Sequence, residues 1–150
     1  MFFTIVMAGI IGTAYMTLGM YLLAAITSEH FKVVKVLGTM LTFQTTHGNG
    51  LSDRRSAIWT GIVAHYLVGI GFSVLYAWLW KKDILEMDFL QATWLGLLNG
   101  IFGAIVWRIF IALHPRPPQL PLPQYLIAIA LGHILFAHGI YATFLLMSGD

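Results

Sequence analysis

No cysteine occurs in this 150-residue chain. That excludes disulfides, thiolate metal sites and cysteine nucleophiles. Charge is nearly as scarce. Asp, Glu, Lys and Arg make up 9% of the residues against roughly 25% in soluble domains. So little charge cannot cover a surface facing water, and the mean hydropathy of +0.82 points to lipid as the solvent. Carboxylates are absent from the long apolar segments, which argues against a carboxylate-based proton pump or cation antiporter. There is no nucleophile elbow, phosphate loop or paired carboxylate, and no HxxxH or HExxH spacing. Hydrolase, kinase and zinc-site readings therefore have no support, and catalytic residues are not assigned. The net charge of +2 comes from a few loop residues, so no nucleic-acid partner is expected.

What is present is four long hydrophobic segments, expected as membrane spans over residues 3–26, 57–80, 89–113 and 124–147. Each exceeds the ~20 residues that cross about 30 Å of hydrocarbon. The first lacks a basic n-region and a cleavage site, so it reads as a retained span rather than a signal peptide. Gly12 and Gly19 in span one, and Gly96, Gly100 and Gly103 in span three, mark faces where helices can approach closely. Span two leaves through Tyr76, Trp78 and Trp80 into Lys81-Lys82, an aromatic belt followed by snorkelling lysines. The turn His114-Pro115-Arg116-Pro117-Pro118 ends span three.

The connection between spans one and two is unusual. Ser28 or Thr27 can cap a helix starting near Glu29, and Phe31, Val34, Leu37 and Leu41 recur at helical spacing. An amphipathic helix is expected over residues 29–43, lying at the membrane interface or partly re-entrant. The expected architecture is thus an all-α integral membrane protein: one membrane domain over residues 1–150, a four-helix bundle with an added interfacial helix. Four spans place both termini on one side. The side carrying the first and third connections, side B, holds Lys32, Lys35, Arg54, Arg55 and Arg116. The positive-inside rule makes side B cytoplasmic and puts both termini outside.

Topology gives the histidines a pattern. His65 lies eight residues past Ala57 and His133 nine past Gln124, so both sit on the order of 12–14 Å from the side-B boundary. His138 is turned about 140° from His133 and does not share its face. Gly61, His65 and Gly69 share one face at i, i+4 and i+8, an open approach that suits a neighbouring helix backbone or a planar ring. Two readings stand side by side. His65 and His133 are packing residues that hydrogen-bond within the bundle, as polar residues commonly do in lipid. Alternatively they are a cofactor site, as the two axial ligands of a haem b iron or as the grip on a quinone, with Gly61 and Gly69 flanking and Arg108 beside Trp107 reaching a carbonyl. Arg108 otherwise snorkels to side B. Asn99 lines an ion path or bonds across a helix interface, and His47 and His114 are expected as solvated loop residues.

The segments Val36-Leu37-Gly38-Thr39-Met40-Leu41, His65-Tyr66-Leu67-Val68-Gly69 and Leu131-Gly132-His133-Ile134-Leu135-Phe136 resemble a pattern in small four-span bacterial inner-membrane proteins, the YagU-like group. The resemblance implies the same topology, a bacterial cytoplasmic membrane and attention to the same two histidines; it implies no activity. From this reading the chain is expected to be a non-catalytic membrane subunit, self-associating or joined to other membrane subunits of a respiratory or transport assembly. The alternatives are a haem- or quinone-binding protein with its site between spans two and four, and a small oligomeric channel or transporter.

Overall fold

A computed structural model describes residues 1–27 and 31–148. Five helices follow in order: α1 (Phe2–Ile26), α2 (Val33–Leu41), α3 (Arg55–Lys81), α4 (Phe89–Leu113) and α5 (Leu122–Ser148). Strands are absent among the described residues. Four of the helices are long and apolar enough to cross a membrane. The protein is an all-helical, four-span bundle with one short additional helix. Helix α5 starts two residues ahead of its expected span and takes Pro123 into its first turn. The missing N–H costs nothing there, because first-turn donors have no helical partner.

The helices pack as a row. Helix α1 lies between α3 and α5, α4 packs along the far side of α5, and α2 packs on α3. No comparable contact joins α3 to α4, although a short loop links them. Small residues make the close crossings. A Cβ at Gly96 would lie 2.7 Å from the Ile134 Cα, and one at Gly100 would run into the backbone of Ala130, so α4 and α5 meet backbone to backbone. Across α1 and α3, Ser73 Oγ donates to the Ile5 carbonyl at 2.8 Å.

The short helix α2 occupies part of the stretch where the amphipathic helix was expected; the proposed start at Glu29, with Ser28 as cap and His30 beside it, lies outside the described residues. Helix α2 is no free surface helix. Val33, Val34, Val36, Thr39 and Met40 are all buried, whereas Leu41, expected on its apolar face, is exposed. The reason is Gly38, where a Cβ would overlap the Ala57 carbonyl, and Gly61, where one would overlap the Val34 carbonyl. With neither Cβ present, α2 settles directly onto the first turns of α3 and is covered on more sides than an interfacial helix would be.

Helix ends are built from local hydrogen bonds. Asp88 caps α4 by accepting from Gln91 N at 2.8 Å. Helices α2 and α3 both finish in a Schellman arrangement, Gln44 N to Thr39 O at 3.0 Å and Ile84 N to Leu79 O at 3.1 Å. The left-handed residue in each is Phe43 (φ 56°) or Asp83 (φ 53°) rather than the usual glycine. Phe43 is held by its ring, which stacks on His114 with centroids 5.0 Å apart.

Side B is fastened by loop contacts. Thr45 Oγ1 donates to the Arg116 carbonyl at 2.6 Å and Gln119 N to the Asn49 carbonyl at 2.8 Å. His114 Nε2 donates to the Met40 carbonyl at 3.0 Å, and its Nδ1 accepts from Arg116 N at 3.2 Å. The expectation of a solvated His114 is therefore corrected. It is buried with both nitrogens committed, because the proline-rich turn folds back over α2. His47 is exposed, as expected.

Candidate functional site: a two-histidine cavity between α3 and α4

Helices α3 and α4 face each other without close backbone packing, which leaves a space that α1, α2 and α5 back but do not fill. It is a cavity of about 190 Å³. His65 reaches it from α3 and His133 from α5, so the two histidines placed at equal depth do meet at one site. Helix α4 supplies a wall of Phe102, Gly103, Val106 and Trp107, and Val33 and Leu37 of α2 form the side-B floor. Val68, Phe102 and Val106 line the cavity and are also about half exposed, at 56%, 57% and 46%. They mark a mouth that opens between α3 and α4, toward the bilayer in a membrane-spanning bundle.

The hydrogen bonds of His133 define its ring. Nδ1 is 2.8 Å from the carbonyl of Ile129, one turn back along α5. A carbonyl can only accept, so Nδ1 carries the hydrogen and, in the neutral imidazole, Nε2 is left as a lone pair. A Cβ at Gly103 would lie 2.9 Å from the His133 Cε1 and 3.3 Å from its Nε2. Glycine at that position lets the ring lie close against α4. His65 Nε2 is buried without a hydrogen-bond partner among the described residues. The two imidazoles thus bring unspent hydrogen-bonding capacity into a setting lined mostly by apolar and aromatic side chains.

The glycines flanking His65 are already used. Gly61 meets α2, and a Cβ at Gly69 would overlap Thr13 Oγ1, whose hydrogen goes to the Gly9 carbonyl at 2.7 Å. Of the two open approaches expected at His65, both are taken by neighbouring helices and neither by free space for a planar ring. Gly69 still contributes to the cavity lining, whereas Gly61 lies one turn nearer side B and does not. Arg108 is exposed and lies off the cavity, while its neighbour Trp107 is part of the wall. Among the described residues no three His, Asp or Glu side chains gather as a metal site.

Two polar groups lie toward side A. The Tyr76 hydroxyl, one turn along α3 from Phe72, sits beside the Asn99 side chain on α4. Both are buried, and neither the hydroxyl nor the Asn99 amide nitrogen finds a hydrogen bond of good geometry among the described residues. His138 stands apart. Its Nε2 is 3.0 Å from Thr93 Oγ1, and its ring lies on Phe89 with centroids 4.4 Å apart. Thr93 spends its hydrogen on the Phe89 carbonyl, so His138 is the donor to it.

Thr13 and Gly103 also line the cavity, beyond the residues expected there. Thr13 back-bonds to the Gly9 carbonyl, and it also fills the α1–α3 crossing. Gly103 was grouped with Gly96 and Gly100; those two face the α5 backbone, while Gly103 faces an imidazole. The odd spacing of the third glycine was the available signal. Fold and site together define a four-span helical membrane protein with a laterally open, two-histidine cavity. Comparison with family models, with curated proteins and with solved structures found no match.

Proposed function

We propose that this chain is a ligand-binding subunit of a bacterial cytoplasmic membrane, which takes a lipid-soluble molecule between α3 and α4 and holds its polar head with His65 and His133. The observation carrying this reading is the convergence of two imidazoles from separate helices on one otherwise largely apolar cavity, with His65 Nε2 unpartnered. Burying a polar atom without a partner costs free energy, which a bound head group recovers at His65 Nε2 once the imidazole turns toward the cavity. The chemistry on offer is recognition rather than bond-breaking.

The size of the cavity favours a quinone-type head over haem. At about 190 Å³ it lies below the ~300–1,000 Å³ of sites that enclose a whole cofactor-sized ligand. It suits one ring whose tail leaves through the mouth into lipid. A porphyrin would also need the faces beside His65 that α2 and Thr13 occupy. An absorption spectrum of protein extracted in mild detergent from its host separates the two readings. A quinone-type site predicts no Soret band and a quinone or its quinol, counted together, in the organic extract at close to one per chain. A stoichiometric Soret band that sharpens on reduction refutes it and restores haem.

The proposal puts side B, with Lys32, Lys35, Arg54, Arg55 and Arg116, in the cytoplasm. A periplasmic reporter fused after Asp150 is then active and a cytoplasmic one inactive; the opposite pattern inverts the assignment.

A further inference from the structure

We infer that the head group this cavity selects is a hydrogen-bond donor, a phenolic hydroxyl, so that the site takes a reduced, quinol-type lipid in preference to the corresponding quinone. The inference rests on the proposed reading of the cavity as a ligand site and deepens it. One atom decides the preference. His133 Nδ1–H is spent on the Ile129 carbonyl, so only the Nε2 lone pair is left to offer, and a lone pair is satisfied only by a donor. A quinone carbonyl set against it would place two acceptors face to face.

His65 completes the match. No partner fixes the tautomer of its ring, so it can donate or accept. A hydroxyl is both donor and acceptor: it gives its hydrogen to His133 Nε2 and can receive one from His65. A carbonyl can satisfy His65 alone, and a methyl ether does no better. The walls point to an aromatic carrier for that hydroxyl. Phe72, Phe102, Trp107, Phe110 and Phe136 line the cavity together with the two imidazoles, and their faces and edges suit a flat ring better than a branched chain. The mouth at Val68, Phe102 and Val106 gives an apolar tail its way out between α3 and α4.

The test is calorimetric titration of the whole protein in nanodiscs under anaerobic conditions. The probes are a decyl-substituted benzohydroquinone, its quinone and its dimethyl ether. The hydroquinone is expected to bind about 10- to 100-fold more tightly than either other compound, the range for leaving one buried acceptor unpaired. His133→Phe keeps the ring volume but removes the lone pair, and should bring all three to similar affinity. His133→Gln restores an acceptor and should recover part of the preference. Equal binding of the three by the native protein, or tighter binding of the quinone, overturns the donor inference. Val68→Trp, at the half-exposed mouth, should weaken all three together. If it does while the preference is absent, the site stands and the donor inference fails. If hydroquinone binding is unaffected by Val68→Trp, or no probe binds, the ligand-site reading itself fails.

Discussion

Gly61 and Gly71 lie on the same helix, and the same substitution at each should have opposite effects. Gly→Ala in a helix interior is worth about 0.5–1 kcal/mol through backbone entropy, and both positions gain it. At Gly71 nothing lies within 4 Å of the added Cβ. The gain there is net, and the variant should be more stable than the native protein. At Gly61 the Cβ would run into the carbonyl oxygen of Val34 and lie 3.1 Å from the Gly38 Cα. These are backbone atoms of a clamped helix that no rotamer change can move aside. Overpacking typically costs about 1–3 kcal/mol, and a backbone collision belongs at the upper end. The two variants should therefore differ by about 3 kcal/mol, or roughly 6–12 °C in midpoint for a chain of this size. The assay is the fraction of monodisperse protein surviving a temperature series in mild detergent, read by size-exclusion chromatography. Because the chemical change is identical, propensity cancels and only packing is left. Equal midpoints, or a higher one for Gly61→Ala, would refute the account of α2 as a helix seated on α3 through paired glycines.

Three further outcomes follow from the connections. His114→Phe keeps a ring against Phe43 but removes two hydrogen bonds, one to the Met40 carbonyl, which then keeps only Phe43 N at 3.2 Å, and one from the Arg116 N–H, and should lower stability by about 1–3 kcal/mol in the same heating series; no change would mean side B is held without this residue. Asp83→Gly relieves a left-handed φ of 53° and should raise stability by about 1 kcal/mol, whereas a fall would show that the aspartate side chain outweighs the strain. The Lys35 ammonium beside Asp53 holds that carboxyl below its ordinary range, first by hydrogen bonding and then by charge. A lowered folded value favours the fold above the ordinary carboxylate range, about pH 4, and the benefit is lost as pH falls through the folded value. Asp53 is fully exposed in a solvated ion pair, so Asp53→Asn should leave the midpoint at pH 7 unchanged within error. A marked drop would show that the pair fixes the first connection.

The four spans were legible because length and apolarity alone define them in lipid. The meeting of His65 and His133 was legible from depth, since a rise of about 1.5 Å per residue counts equally along two helices running the same way. What the sequence hid was rotation. Helices α3, α4 and α5 are apolar all round, because both their core and their solvent are hydrocarbon, and the 3.6-residue pattern that orients a soluble helix fades. Only small and polar residues mark the inner face. That is why Gly96 and Gly100 pointed to an interface while the α4 wall of Phe102, Val106 and Trp107 went unseen. His114 was misjudged for another reason: a proline-rich turn reads as solvent-facing until its fold-back over α2 is known. On α2 itself, Leu41 fitted the apolar spacing but the burial of Val33, Val36 and Met40 followed from Gly38, a contact no periodicity records.

The row of helices has an open flank, yet both of its ends are tied. On side B the Thr45–Arg116, Asn49–Gln119 and Met40–His114 bonds bind the first connection to the third, and on side A the short α3–α4 loop closes the other end. The gap is therefore a buttonhole, slit in its middle and stitched at both tips. A molecule passing through it need never cross either aqueous face. Occupancy of such a site is governed by how richly the molecule dissolves in the bilayer, and a compound almost insoluble in water can saturate it while its aqueous concentration stays negligible.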